Sequence, residues 1–175
     1  MLSVKNPSWA KWTLGFTGVI QTIPGLALLA LFIPIPFLGL GSVSAITALF
    51  LYSLLPILRN TYAGMNSVDG KLLDAAKGIG LAPNEVLLQI QFRMAVPMIM
   101  AGVRTASVIA IGVGTLGAFI GAGGLGEPII TGLQLNDHKL IWWGALPAAL
   151  LAISAEYGLA FVERWATPRG LRGSQ

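Results

Sequence analysis

The sequence contains a stretch of 47 consecutive residues, 12–58, without one charged side chain. A single straight helix of that length would measure roughly 70 Å, whereas the hydrocarbon core of a bilayer is roughly 30 Å thick. The stretch therefore has to fold back on itself. The segment PIPFLGLG at 34–41 supplies the prolines and glycines for the reversal. We predict two membrane-crossing helices here, at 13–33 and 43–58.

Two further apolar runs predict two more membrane helices. One covers residues 105–126, and the other covers residues 140–162, where Glu156 is the single charged residue. The whole chain is 55% hydrophobic and 10% charged, whereas a soluble domain carries about 25% charged residues. These patterns predict an all-α fold, a polytopic membrane helical bundle with four spans.

Positive charge is unevenly divided between the two sides of this arrangement. Both termini and the loop at 59–93 share a side, which carries Lys5, Lys11, Arg59, Lys71, Lys77, Arg93, Arg164, Arg169 and Arg172. The opposite side carries one cation, Lys139. Cytoplasmic segments are enriched in Lys and Arg, so we predict both termini in the cytoplasm. The tryptophans fit interfacial belts, with Trp9, Trp12 and Trp165 at the inner boundary and Trp142 and Trp143 at the outer one.

The sequence offers little chemistry for catalysis or metal binding. It has no cysteine and one histidine, His138, which has no second imidazole or thiol to share a metal with. We therefore expect no enzymatic activity, no metal and no cofactor. The net charge of +4 is spread along the chain, so membrane lipid is the expected partner and nucleic acid is not.

Two charged residues lie in the predicted spans. An ionised carboxylate such as Glu156 costs about 3 kcal/mol at that depth unless it is paired or faces water. Glu156 therefore either lines a pathway or is bonded within a helix interface, and the sequence leaves both interpretations open. Arg104 has a long side chain that reaches toward the interface, which favours a structural role.

The segment DGKLLDAAKGIGLAP at 69–83 separates the apolar runs with charges and glycines. Asp69 is a candidate cap for a short helix with an apolar face formed by Leu72, Ala75, Ala76 and Ile79. Gly78 and Gly80 suit a left-handed turn at its end, and Pro83 suits the start of a second helix. The apolar face of that second helix comprises Val86, Leu87, Ile90 and Met94. We predict two short helices joined at a glycine corner, the first slim enough to enter a groove in a partner.

This loop resembles the EAA loop of permease subunits of binding-protein-dependent ABC importers. The similar residues are Asp74, Ala75 and Ala76, then Gly80 after three intervening residues and Ile90 after nine more. Asp74 stands where the family has Glu, and Phe92-Arg93 replaces the family's closing Leu-Pro. Segments 21–24, 51–62, 101–106 and 121–126 are similar to the osmoprotectant branch of these permeases.

The resemblance implies a type I ABC importer permease core in which residues 1–175 form one transmembrane domain with a coupling loop at 66–93. Asp74, Ala75, Ala76 and Gly80 would be the ATPase-coupling residues. The implied partners are a cytoplasmic ABC ATPase, a second permease subunit and an extracytoplasmic substrate-binding protein, in the cell membrane of a prokaryote. Members of the branch usually have one more helix upstream, so we expect that this sequence lacks their first helix.

The implied function is import of quaternary amines such as glycine betaine, choline or carnitine, driven by ATP that a partner hydrolyses. A permease of an amino-acid-type ABC importer is the alternative within the superfamily. A secondary transporter using Glu156 and Arg104 as relay groups is a more distant alternative, and it predicts more pathway charges than the two present. A scaffold protein would have no need of a shaped cytoplasmic loop.

Overall fold

The computed structural model describes residues 7–167, without the side chains of Pro7 and Trp9. The regular secondary structure of this part is helical. This confirms the all-α prediction. The helices of this part are α1 (Pro7–Thr22), α2 (Gly25–Phe32), α3 (Ser42–Asn66), α4 (Gly70–Gly78), α5 (Pro83–Ile120), α6 (Gly126–Leu135) and α7 (His138–Ala166). The cations Lys5, Arg169 and Arg172 and the indole of Trp9, used above to predict orientation, lie outside the described part.

Three of these helices, α3, α5 and α7, are long and apolar enough to cross a membrane. A fourth crossing exists if α1 and α2 together form one broken span. The prediction of a continuous helix at 13–33 is wrong, because the chain bends by 94° between Ala10–Thr22 and Gly25–Phe32. Pro24 causes the break, since it lacks an N–H and disfavours helical geometry at Ile23. The hydroxyl of Tyr52 donates a hydrogen bond to the carbonyl of Ile23 at this break.

The third span differs from its prediction at both ends. The uncharged run that predicts this span begins at residue 105, whereas α5 is one helical run from Pro83 that includes a π-helical stretch, Val86–Gln91. The second helix of the polar loop is therefore the beginning of a membrane helix and not a separate short one. At the far end Gly121 adopts a φ of 75°, so α5 ends at Ile120, before the predicted end at 126.

A short helix that the sequence analysis did not predict, α6, packs against α7. The turn between them uses Asn136 in the left-handed region, at a φ of 53°. Asp137 caps α7 by accepting a hydrogen bond from the backbone N–H of Lys139 at 2.9 Å. The two helices approach closely because Gly144 has no side chain: a Cβ there would lie 2.6 Å from Cγ1 of Ile129.

The most extensive packing in the described chain joins α3 to α5. Two glycines allow it, one on each helix. A Cβ on Gly102 would lie 2.8 Å from the carbonyl oxygen of Pro56, and a Cβ on Gly64 would lie 2.9 Å from Cβ of Met98. Such close approach between small residues is a common basis of helix association in membranes, where burial of apolar surface gives little driving force.

An apolar core joins α2 to the ends of α3 and α5 that lie opposite the α4 loop. Its buried side chains are Leu28, Leu29, Phe32, Ala45, Ala48, Tyr52 and Ile120. The backbone N–H of Gly41 also donates to the carbonyl of Ile120 at 2.7 Å. This end of the bundle is therefore closed by its own side chains, and the polar α4 loop extends from the other end. Large apolar side chains on α1 and α7 remain exposed, among them Phe16, Trp143, Tyr157 and Phe161.

Candidate functional site

The helix α4 begins at the residue that the sequence predicts as its cap. The carboxylate of Asp69 accepts a hydrogen bond from the backbone N–H of Lys71 at 2.9 Å, which satisfies one of the free donors of the first turn. One turn further on, Asp74 and Lys77 form an ion pair at 3.0 Å. Both side chains are largely exposed, so this pair contributes little stability.

The corner after α4 is built on one left-handed glycine. Gly80 has a φ of 90°, as predicted, whereas Gly78 is the last residue of the helix and has no positive φ. The N–H of Gly80 donates to the carbonyl of Lys77 at 2.9 Å, and the N–H of Leu81 donates to the carbonyl of Ala76 at 3.2 Å. This pair of bonds is a Schellman motif, which ends a helix abruptly and satisfies its last carbonyls.

The start of α5 is capped just after this corner. The carboxylate of Glu85 accepts a hydrogen bond from the N–H of Ala82 at 2.8 Å, and Pro83 occupies the first helical turn. Both features hold the chain direction between α4 and α5, because proline fixes φ and the carboxylate satisfies a free backbone donor. Of the predicted apolar face of this helix, Val86 and Leu87 are buried, and Ile90 and Met94 are partly buried.

The predicted apolar face of α4 divides into a buried part and an exposed part. Ala76 is 4% exposed, and α4 packs against the π-helical stretch of α5. Leu72 and Ile79 are exposed, Ile79 at 81%, and Ala75 is exposed as well. Ala76 therefore seats the helix on its own chain. We call Leu72, Ala75 and Ile79 the exposed α4 face.

The base of the loop is anchored to the bundle. Met65 near the end of α3, Leu87 at the start of α5 and Ala95 further along α5 form a buried cluster. The side-chain amide of Gln91 donates a hydrogen bond to the carbonyl of Met65 at 3.3 Å. The end of α3 and the start of α5, between which α4 lies in the chain, are thus joined to each other.

The two charged residues predicted within the spans are brought together. The Nε of Arg104 on α5 lies 3.0 Å from Oε1 of Glu156 on α7. A third residue joins them, since Nη1 of Arg104 lies 3.1 Å from Oε2 of Glu163. An unpaired charge costs about 3 kcal/mol near the middle of a membrane helix, and pairing removes much of that cost. Of the two open interpretations of Glu156, the contacts favour bonding within a helix interface.

Glu163 did not stand out in the sequence because it neighbours Arg164 at the predicted cytoplasmic end of the span. It is the more buried of the two acids: its side chain is 19% exposed, against 43% for Glu156. Its spacing of seven residues from Glu156 is the signal available in the sequence, since positions i and i+7 fall on one face of a helix. Residues 7–167 contain no group of three or more side chains suited to a metal ion.

A family model described as the binding-protein-dependent transport system inner membrane component matches residues 1–169. The chain belongs to this family. The membership agrees with the architecture, in which a bundle of apolar helices carries the polar α4 loop at one end. The resemblance noted in the sequence is thereby confirmed, and the protein is a multi-pass membrane permease subunit.

Several curated relatives are similar over most of the chain. The glycine betaine/carnitine/choline transport system permease protein OpuCB of Bacillus subtilis (strain 168) is 50% identical over 160 residues, which are 91% of this chain and 73% of that protein. The choline transport system permease protein OpuBB of the same organism is 50% identical over 159 residues, 91% of this chain and 72% of that protein. The osmoprotectant import permease protein OsmW of Salmonella typhimurium is 41% identical over 175 residues, 98% of this chain and 81% of that protein.

The fold is also found among solved structures. The MetNI methionine ABC transporter in an inward-facing conformation matches with a TM-score of 0.77 over 88% of this chain and 74% of the other. The sequence identity is 19%, so this likeness concerns the fold. It confirms the predicted type I ABC importer permease architecture.

Proposed function

We propose that this permease is the membrane-spanning subunit of an ATP-driven importer for quaternary-amine osmoprotectants such as glycine betaine, choline or carnitine. The observation that carries the proposal is the 50% identity to a permease named for these three substrates. The alternative, a permease of an amino-acid importer, has weaker support. The methionine transporter shares the fold at 19% identity, a level that carries no information about substrate.

The α4 loop couples the permease to an ATPase in this proposal, and its residues have different roles. Ala76 seats α4 against α5, and Gly80 turns the chain so that α4 projects from the bundle. Ala75 belongs to the exposed α4 face, which is apolar. Asp74 pairs with Lys77 beside this face. An exposed apolar helix face held on a rigid base is suited to a groove in a partner protein.

The chain itself performs no catalysis in this proposal. A cytoplasmic ABC ATPase binds and hydrolyses ATP, and the resulting shift between its states is passed to α3 and α5 through the anchored loop. Residues 1–175 act as one transmembrane domain, with the loop at 66–93 on the cytoplasmic side and both termini on that side too. The Lys and Arg distribution supports this orientation.

Three further partners complete the assembly. A second permease subunit and membrane lipid cover the exposed apolar side chains of α1 and α7. A binding protein outside the cell delivers the substrate and supplies most of the selectivity, because aromatic side chains recognise quaternary ammonium groups well. Arg104 is bonded to both Glu156 and Glu163, which favours the importer over a secondary transporter with relay groups.

An uptake assay tests the proposal. The permease is reconstituted in liposomes with its ATPase and binding protein, and uptake of labelled glycine betaine and choline is compared with uptake of methionine and maltose. We expect uptake of the quaternary amines when ATP is supplied on the cytoplasmic side, and none with an ATPase variant that binds ATP without hydrolysing it. Preferred uptake of methionine or maltose would overturn the substrate assignment, and quaternary-amine uptake without ATP hydrolysis would overturn the importer mechanism.

A further inference from the structure

One cation on α5 is bonded to two anions on α7 through separate edges of its guanidinium. Nε of Arg104 contacts Glu156 at 3.0 Å, and Nη1 contacts Glu163 at 3.1 Å. A planar guanidinium has several donors in a fixed geometry, so it is able to hold two carboxylates at once, whereas a lysine ammonium acts as a point charge. The side chain of Arg104 is 32% exposed, which leaves both bonds partly shielded from water.

The position of Arg104 on its helix matters as much as its bonds. It belongs to the helical run that begins at Pro83, just after the Gly80 corner, and that includes the π-helical stretch and Pro97 before it reaches Arg104. A helix rises 1.5 Å per residue, so Arg104 lies roughly 30 Å along α5 from the loop. A continuous helix transmits displacement along its axis. The cation is therefore a point at which movement of the loop reaches a second membrane helix.

We propose that Arg104, Glu156 and Glu163 form a two-carboxylate tie through which α5 carries the movement of the α4 loop to α7, with Glu163 as the positioning residue. The inference rests on the proposed function, since it assumes that an ATPase moves the loop. Without the tie, α5 moves with the ATPase but α7 follows less closely. ATP is then hydrolysed without a full opening of the pathway.

The spacing of the acids explains why the tie needs two of them. Glu156 and Glu163 are seven residues apart, about 10 Å along α7. With two acids at different heights on α7, the loss of one bond leaves Arg104 paired with the other carboxylate. Glu163 is the more buried acid and holds the cation nearer the loop-side end of α7, whereas Glu156 supports it from the membrane side.

The test is a variant that removes the tie without leaving a charge unpaired. The triple variant Arg104→Leu, Glu156→Gln and Glu163→Gln replaces three ionised groups with neutral ones, so it inserts at least as well as wild type. Each protein is assembled with the ATPase, and the ratio of substrate transported to ATP hydrolysed is measured. Glu127→Gln is the matched control, because Glu127 is exposed and has no ion pair among the described residues.

We expect the transport-to-hydrolysis ratio of the triple variant to fall about fivefold or more, the scale of a typical coupling between sites, with co-purification of the ATPase unchanged. Glu163→Gln alone is expected to lower the ratio, and Glu163→Asp to restore part of it. Glu127→Gln is expected to leave it at the wild-type value. A wild-type ratio in the triple variant overturns the proposal.

A second readout does not depend on the substrate or on transport. Spin labels are attached at Ile79→Cys on the exposed α4 face and at Tyr157→Cys on α7, two exposed positions in a chain without native cysteine. The distance between them is expected to have a narrow distribution in the wild-type background and a broad one in the triple variant, with or without the ATPase. Equal widths would overturn the tie, and this result stands even if uptake assays refute the proposed substrate.

Discussion

Two glycines of the α4 loop allow a sharp test of its geometry, because they differ in conformation and not in available space. A Cβ added to either Gly78 or Gly80 would meet nothing within 4 Å. Gly80 has a φ of 90°, whereas Gly78 is helical. An alanine at position 80 is therefore strained by its backbone alone, and an alanine at position 78 is favoured because alanine is the better helix former.

The left-handed conformation costs a residue with a side chain about 1–2 kcal/mol. If the ATPase requires the observed corner, Gly80→Ala lowers the population of the competent loop, and the apparent affinity with it, by about 5- to 30-fold. Gly80→Val adds the restriction of a β-branched side chain and is expected to have a larger effect. Gly78→Ala is expected to stabilise α4 by about 1 kcal/mol and to leave the corner intact.

The assay is titration of the purified permease variants with the ATPase, at concentrations below saturation so that affinity is read directly. Uptake is measured in parallel and normalised to the amount of permease in the membrane. Neither glycine belongs to a membrane-spanning helix, so insertion is expected to be normal. Wild-type affinity for Gly80→Ala, or an equal loss for Gly78→Ala, would refute the argument that the left-handed corner presents the docking face.

Three further predictions concern other parts of the chain. Asp74→Glu keeps the charge at an exposed position, so ATPase binding and uptake are expected to stay at wild-type levels, and a loss in either assay would contradict this. Gly102→Ala places a methyl group 2.8 Å from a backbone oxygen of α3, which should cost about 1–3 kcal/mol. A lowered thermal stability in detergent, compared with unchanged stability for Gly112→Ala where space is open, is the expected result. Single cysteines at Ser67 and Asn136 are expected to react with an impermeant reagent from opposite sides of the membrane, and labelling of both from outside intact cells would refute the orientation.

The parts of the loop that follow local rules were predictable from the sequence. The Asp69 cap, the left-handed Gly80 and the position of Pro83 each depend on residues within one or two turns, and the structure has all three. The division of the apolar α4 face was not predictable, because it depends on how α4 leans on α5. Helical spacing places Ala76 and Ile79 on the same apolar face, yet Ala76 is buried and Ile79 is exposed.

The boundaries of the membrane helices were harder to predict, because hydropathy alone does not show where a helix breaks or ends. Hydropathy gave no reason to separate residues 13–22 from 25–32, and the break at Pro24 was hidden within a uniformly apolar run. The opposite error occurred at the start of α5, where Arg93 was assigned to the loop although the helix begins at Pro83 and continues through it. Charged residues indicate where a segment leaves the membrane, but a helix such as α5 continues beyond that point.

The Arg104 cluster was half predictable for a similar reason. Glu156 was conspicuous because it is the single charged residue of an apolar run, and Arg104 was placed within the third span. The sequence did not say that they meet, because their contact depends on the packing of α5 against α7. Glu163 lies close to the predicted membrane–water boundary, where a charged residue is expected to be exposed. Its burial follows from the same packing of α5 against α7.

The central claim, that the permease engages an ATPase through the exposed α4 face, is tested most directly by photo-crosslinking. A photoreactive amino acid is placed at Ile79 on that face or at Phe37, which is fully exposed in the turn at the opposite end of the bundle. With the ATPase present, irradiation is expected to give a permease–ATPase adduct from position 79 and none from position 37. Absence of the adduct at position 79, or an equal yield at position 37, would contradict the account.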